Sequence, residues 1–296
     1  MNLFVIMPVH NRIHYTQACL HALSQQTMRA FHIVVVDDGS SDGTRDMIAR
    51  EFPEVVVLHG DGELWWTRSV NLGVRYALEA GADYLVTLNN DTVAPPDFMA
   101  NLVQPLMATP LALLGCVERN METHELVYGG RRMDWMRARR VNVLHLLKDE
   151  ERRGLHAVDH LPGRGLLIPA QVFAAVGFFD ETHFPQTQAD FDFTYRAYRA
   201  GYALFCNYEA QLEVYSDSKT SQTAREDKNL ANYYHYLFGK KGGGNLPRFV
   251  WFAWKNCPTY FLPSYLALGL ARRILGYLLE WLNEGLRGKT VAVSGP

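Results

Sequence analysis

Apolar positions follow two alternating rhythms over the first half of the chain. Short β-branched runs fall at 3–7, 33–36, 55–58, 84–88 and 112–117, and between them residues 15–25, 44–52 and 69–80 repeat their apolar positions at helical spacing. Pro95-Pro96 is suited to open a further helix through Met107. Strands alternating with helices predict βαβ units, hence an α/β, Rossmann-like fold with a mixed, mostly parallel sheet flanked by helices. The loops leaving the strands hold polar clusters at His10-Asn11, at 37–41 and at 89–92. Ligands of open parallel sheets gather at the carboxyl ends of the strands, so these clusters form one candidate site.

Beyond residue 118 the pattern weakens. Residues 119–160 are charged, with Arg131, Arg132, Arg137, Arg139 and Arg140 close together, and read as an insertion or a mobile segment over the site. Order resumes at Gly163 with a glycine turn, an apolar strand to Ile168, a short helix after Pro169, an acidic loop, a helix near 190–200 and a strand at 203–206. Residues 249–282 are rich in Trp, Phe, Tyr and Leu, with Pro258, Pro263, Lys255, Arg272 and Arg273 among them. The longest uncharged run there, 256–271, contains both prolines. It is shorter than the roughly 20 apolar residues of a bilayer span. A C-terminal helix pair lying at a membrane interface is therefore expected, with a homodimer surface as the competing reading. The expected division is a catalytic domain over 1–220 and a helical, membrane-proximal tail over 221–296.

Composition narrows the function classes. A chain of 296 residues with 48% hydrophobic residues can bury the core of a large α/β domain with a helical appendage. Its formal net charge of -2, with Lys and Arg scattered, offers no concentrated basic face, so nucleic acid is not an expected partner. The four cysteines are far apart and form no CxxC pair, which suggests neither a disulfide framework nor a zinc site. A reducing compartment fits them. The apolar run at 3–7 lacks the flanks of a signal peptide, so a cytoplasmic location is expected.

Three acidic clusters carry the candidate chemistry. The run 33–36 ends in Asp37-Asp38-Gly39 and a glycine-containing turn to Thr44. This reads as a strand followed by a capped helix, or as a carboxylate at a strand tip that accepts from a nucleobase imide or a ribose hydroxyl. The run 85–88 enters Asn89-Asn90-Asp91-Thr92. An Asx-turn accounts for these residues; so does a magnesium or manganese site, since such an ion bridges diphosphate oxygens with few protein ligands and Asp91 is a hard one. The third cluster, Ala189-Asp190-Phe191-Asp192, stands at an expected helix start. Asp190 reads as the N-cap or as a general base for an acceptor hydroxyl. Asp192 points in another direction and suits a first-turn acid favoured by the helix dipole.

Taken in order, Met7-Pro8-Val9-His10-Asn11-Arg12, Ser24-Gln25-Gln26-Thr27, the 36–44 turn, Asn71-Leu72-Gly73, Asn89-Asn90-Asp91, Gly163-Arg164-Gly165 and Ala189-Asp190-Phe191-Asp192 resemble the family 2 glycosyltransferases with the GT-A fold, over residues 3–217. The resemblance implies that Pro8, His10, Asn11, Asp38, Gly39, Asn71, Asn90 and Gly165 serve the nucleotide sugar, with Asp38 facing the base and Asn89 contacting the ribose. It implies that Asp91 is the metal-binding acid of a DxD-type motif, for Mg2+ or Mn2+. Ala189 replaces the Glu of the family's Glu-Asp pair, and Asp190 inherits the base role. Where many relatives offer the metal a His, near 214–217, Asp217 is the substitute candidate.

The implied mechanism is a single inverting displacement of the diphosphate by an acceptor hydroxyl, with one base and no covalent enzyme intermediate. Residues 60–71 and 163–169 also resemble a rhamnosyltransferase-like bacterial branch that builds surface polysaccharides. Within them Trp66 reads as a core aromatic or a stacking wall for a sugar, and Arg68 as a phosphate partner or a solvated surface residue. With the aromatic, basic tail, this points to a glycan or polyprenyl diphosphate-linked acceptor and to a peripheral protein at the inner face of the cell membrane. The rival readings are a nucleotidyltransferase, whose glycine-rich basic signature is absent after the first strand, and a non-catalytic nucleotide-sugar or glycan binding protein.

Overall fold

The computed structural model describes residues 1–215 and 230–291. The chain divides into two compact units, Met1–Met133 with Arg140–Ser218, and Asp134–Arg139 with Lys219–Pro296.

The first unit begins with the predicted alternation: β1 Leu3–Val9, α1 Ile13–Ser24, β2 His32–Asp37, α2 Thr44–Glu51, β3 Val56–His59, α3 Trp65–Glu79, β4 Tyr84–Thr87. It continues through β5 Thr92–Val93, α4 Phe98–Val103, β6 Leu113–Asn120, β7 Leu126–Tyr128, β8 Arg131–Asp134, β9 Arg139–Asn142, β10 Leu155–Ala157, β11 Leu166–Pro169, α5 Gln171–Val176, α6 Ala189–Arg199 and β12 Leu204–Val214. The main sheet runs β10-β12-β6-β11-β4-β1-β2-β3, with β5 on β12 and β7 on β6. Pairings within β3-β2-β1-β4 and between β6 and β12 are parallel, and β11 lies antiparallel between β4 and β6. Val34, Val35 and Val36 are all fully buried, as a central strand covered on both faces requires.

Register places the site. Val9 pairs with Asp37 and Ile6 with Thr87, so the carboxyl ends of β1, β2 and β4 lie together and His10, Asp38 and Asn89 leave from one edge. The Gly165 N–H donates to Thr87 O (2.9 Å), so the turn before β11 enters at the same edge.

Three elements differ from expectation. The helix after Pro95-Pro96 is α-helical only over Phe98–Val103 and tightens to a 3-10 turn at Gln104–Met107, because Pro105 has no N–H for the ladder. Helix α3 starts a turn early, at Trp65, behind a cap held by Asp38. Residues 119–160, expected as an insertion or a mobile stretch, form short strands instead: β7 pairs with β6, β10 with β12, and β8 with β9.

The second unit holds α7 Leu230–Phe238, α8 Leu246–Asn256 and α9 Leu262–Val291. Pro263 opens α9 rather than interrupting it, since the first turn of a helix has no use for that N–H. Trp135 packs on Phe252 and Tyr265, and Arg272 donates to the carbonyls of Ala138 (2.6 Å) and Arg137 (2.9 Å). Trp254 and Tyr260 remain 71% and 76% exposed. Among the described residues no helix is long and apolar enough to cross a membrane.

Candidate active site

Each functional loop is tied to the next by hydrogen bonds that its local sequence makes possible. At the tip of β2 the Asp38 carboxylate accepts from the backbone N–H groups of Gly62 (2.8 Å), Leu64 (3.2 Å) and Trp65 (3.0 Å). Gly39 allows this turn: its φ is 71°, and a Cβ there would meet the Gly62 backbone at 3.0 Å. His10 Nδ1 donates to Asp38 O (2.5 Å), while Asn11 bonds Ser40 and Ser41 through its N–H (2.7 Å) and Oδ1 (2.9 Å). Pro8 is the penultimate residue of β1 and pairs with Val36 in β2.

From Asp38 the chain of contacts runs through Trp66. Its indole N–H donates to Asn89 Oδ1 (2.9 Å), its edge leaves no room for a Cβ at Gly163, and its ring meets Phe179 edge-on at 5.7 Å. Gly163 N–H in turn donates to Asp190 Oδ2 (2.9 Å). The next residue, Arg164, reaches Asp91: its Nε lies 3.9 Å from Oδ1. Asp38, Asp91 and Asp190 are thus joined through Trp65-Trp66 and Gly163-Arg164.

Around Asp91 charges alternate. Arg12 approaches Oδ2 (3.4 Å), and Arg164 bridges Asp91 to Glu118, whose Oε2 accepts from Nη1 at 3.0 Å. Burial works against the Arg164 cation, but Glu118 and Asp91 outweigh it and hold its pKa above the ordinary value. Yet Asp91 Oδ1 and Arg164 Nε are both buried and neither makes a hydrogen bond. A buried oxygen without a hydrogen bond costs about 1–3 kcal/mol, which the 3.9 Å ion pair with Arg164 offsets in part, so a ligand carrying both signs of charge would find a partner in each residue. That chemistry fits a divalent cation carried on a diphosphate: Asp91 offers one hard oxygen and Arg164 a phosphate partner. Among the described residues no group of three or more His, Cys, Asp or Glu gathers to hold a metal. The remaining ligands would have to be donor phosphates and water, as magnesium often uses. Asp217 lies outside the described residues.

Asp190 is not the cap of α6; Gln188 is, with φ 75°, and Asp190 is the second helical residue. Its Oδ1 accepts from its neighbour Phe191 N–H (2.9 Å). Burial pushes its pKa up, and the Gly163 and Phe191 N–H groups and the Arg140 and Arg131 guanidiniums pull it down less strongly. A carboxylate with a raised pKa is a stronger proton acceptor. Asp192 does separate work: fully buried, it pairs with Arg196 Nε (2.9 Å), while Arg196 Nη2 donates to Phe178 O (2.8 Å).

Asn71 commits both amide hydrogens to Phe179 O (2.9 Å) and Glu181 Oε2 (2.8 Å), and Asn90 donates to Thr16 Oγ1 (3.0 Å). Gly165, at φ 71°, packs on Cys116, and Arg68 is exposed on α3. The site residues not foreseen are Arg12, Arg164 and Glu118. The two arginines stand inside recognisable motifs, whereas Glu118, an acid near the end of a buried strand, leaves no pattern to find. A separate apolar hollow of about 600 Å³, lined by 109–112, Gln171, Ala175 and 200–203, lies at the amino ends of β6 and β12, away from these groups.

Comparison with known proteins agrees with this geometry. The profile of "Glycosyl transferase family 2" matches residues 4–161, and that of "Glycosyl transferase family group 2" matches 84–282. The succinoglycan biosynthesis protein ExoA of Rhizobium meliloti (strain 1021) is 25% identical over 233 residues, 73% of this chain and 63% of the relative. An undecaprenyl-phosphate mannosyltransferase of Micrococcus luteus is 28% identical over 144 residues, 48% of this chain and 55% of the relative. The chain thus spans less than two thirds of either curated relative. Among solved structures, GalNAc-T7 with UDP, GalNAc and Mn2+ has a TM-score of 0.59 at 17% identity, covering 72% of this chain and 43% of that one. S. aureus TarS 1-349 in complex with UDP has a TM-score of 0.58 at 12% identity, covering 95% of this chain and 92% of that one. At such identities the structural likeness speaks for the GT-A fold alone. With the family profile matching more than half of its length, the chain belongs to glycosyl transferase family 2.

Proposed function

We propose that the protein is a metal-dependent, inverting glycosyltransferase that moves a sugar from a nucleotide diphosphate sugar to a lipid-linked or polysaccharide acceptor in cell-surface glycan synthesis. The observation that carries this is the linkage of Asp91 to Asp190 through the consecutive residues Gly163 and Arg164, which ties a buried oxygen without a hydrogen bond to a carboxylate with a raised pKa. Asp190 takes the proton of the acceptor hydroxyl, whose oxygen bonds to the anomeric carbon as the bond to the diphosphate breaks on the opposite face. The leaving diphosphate departs with the electron pair, Arg164 meets its charge, and the configuration inverts. Bound Mg2+ or Mn2+ would supply Lewis-acid stabilisation of that departing charge, with Asp91 as its protein ligand. Asp38 keeps the 60–65 loop closed under the nucleotide, and Trp66 forms the wall between donor and acceptor sides.

The rhamnosyltransferase-like branch is proposed on the 60–71 and 163–169 motifs. Residues 1–220 are taken as the catalytic domain and 221–296 as a tail that binds the inner membrane surface through exposed Trp254 and Tyr260, aromatics suited to an interface. A panel of nucleotide sugars, tested for thermal stabilisation with and without manganese, examines the reading. One donor should stabilise, and only with the metal. Stabilisation by none, or equal stabilisation in excess chelator, would remove it.

A further inference from the structure

The turn between β1 and α1 is strained at the residue that faces Asp91. Arg12 caps α1 with φ 64° and ψ 46°, directly after Asn11 at φ 57°, so two successive residues with side chains take the left-handed conformation that glycine adopts freely. Such strain persists where surrounding contacts over-determine it, and it collects at functional sites. Here Asn11 N–H donates to Ser40 Oγ (2.7 Å), and the Arg12 carbonyl accepts from Thr16 N–H (3.1 Å) and Thr16 Oγ1 (3.2 Å). Thr16 Oγ1 in turn accepts from Asn90 (3.0 Å), the neighbour of Asp91. The strained turn is thus fixed to the loop that carries Asp91.

The two oxygens of Asp91 are held unequally. Oδ1 is buried, 3.9 Å from the Nε of Arg164, and Arg164 is anchored by Glu118 at 3.0 Å. Oδ2 is met by Arg12 Nη1 at 3.4 Å, a long contact from a side chain 37% exposed to one only 7% exposed. Arg12 is therefore the cation on the solvent side of this carboxylate. Its Cζ also lies 5.8 Å from the centre of the Tyr15 ring, and an aromatic face gives a guanidinium a second seat that needs no carboxylate.

Arg12 and a divalent cation compete for Asp91. An ion on either oxygen of one carboxylate lies within a few ångströms of the guanidinium, where like charges repel even through water. A nucleoside diphosphate carries more negative charge than such an ion carries positive. Their complex arrives as a net anion, which two arginines attract rather than repel.

We propose that Arg12 keeps bare divalent ions off Asp91, so that this site takes a metal only as its nucleoside diphosphate complex. This rests on the reading of Asp91 as the metal's ligand. Arg12 is a positioning residue: it selects the species that binds and takes no part in proton transfer.

The test is titration of the full chain with manganese, the free ion being read by electron paramagnetic resonance, with and without uridine, guanosine or thymidine diphosphate. The wild type should bind bare manganese weakly and bind it far more tightly with the diphosphate it accepts, and linkage requires manganese to strengthen binding of that nucleotide by the same factor. Arg12→Met removes the charge but keeps an unbranched side chain in the same backbone conformation. It should tighten binding of bare manganese roughly three- to tenfold, the worth of a partly exposed ion pair with the repulsion it replaces. Arg12→Lys, strained alike but charged, should keep the wild-type weakness, whereas a purely structural role would move both variants together. Arg12→Gly removes charge and strain at once, so it carries the comparison if melting curves show that Arg12→Met does not fold. In the Met and Gly variants the factor by which the diphosphate strengthens manganese binding should fall. Asp91→Ala added to Arg12→Met should abolish the gain.

Bare manganese bound no more tightly by Arg12→Met and Arg12→Gly, an equal gain in Arg12→Lys, or a gain that survives Asp91→Ala would overturn the proposal. If no gain appears while Asp91→Ala alone abolishes binding of manganese with the diphosphate, Asp91 remains the ligand and only the role of Arg12 falls. If Asp91→Ala alone leaves that binding intact, the reading of Asp91 itself fails.

Discussion

Replacing Asp190 by Asn isolates proton transfer from everything else in the site. The amide keeps an oxygen for the Gly163 N–H at 2.9 Å, and its nitrogen then faces the Phe191 N–H, losing that second bond. Leaving the Phe191 N–H without its acceptor costs about 1–3 kcal/mol, and removing a charge whose burial already disfavours it works the other way. Folding stability should therefore change by less than about 3 kcal/mol. Loss of a general base, by contrast, slows the chemical step about 100- to 10,000-fold, or about 3–5 kcal/mol of barrier. The second effect dominates, so the variant should fold, bind donor with unchanged affinity and lose turnover. Nucleotide release measured beside calorimetric donor binding reads both quantities. Unchanged turnover would remove Asp190 as the base, and lost donor binding would mean that it acts on the donor side.

Further outcomes follow from the same contacts. Because the base must be ionised and burial raises its pKa, activity should climb with pH above the ordinary carboxylate range; Arg140→Met removes a cation that favours the ionised form and should shift that limb to higher pH, so a shift to lower pH in the kcat/KM profile contradicts the assignment. Glu118→Gln frees Arg164 from its anchor at 3.0 Å and should raise the donor KM several-fold while changing kcat less, an outcome that steady-state kinetics would exclude if kcat alone fell. Deleting residues 246–296 should release the protein from membranes, and unchanged co-sedimentation with lipid would refute a membrane role for the tail.

The alternation of strands and helices was readable because each run of 33–36 or 84–88 is buried on both faces and bounded by polar turns. Register was not: that Val9 faces Asp37 and Ile6 faces Thr87, which brings three loops to one edge, is a long-range property no local pattern encodes. Residues 119–160 hid their strands because β7, β8, β9 and β10 are three or four residues long, too short to show a period of two. The same brevity concealed Arg131 and Arg140, visible only as charges. Asp190 was legible by type and place; its position behind a Gln188 cap in the left-handed region was not, since glutamine seldom takes that conformation.

The proposed function requires most directly that Asp91 hold a divalent cation whose nucleoside diphosphate meets Arg164. Crystals soaked with manganese and a nucleoside diphosphate, measured at the manganese absorption edge, locate the ion directly. An anomalous peak is expected on the Asp91 carboxylate and should disappear in Asp91→Ala, with the diphosphate against Arg164. A peak elsewhere on the molecule, or a nucleotide bound with full occupancy and no metal at Asp91, would contradict it.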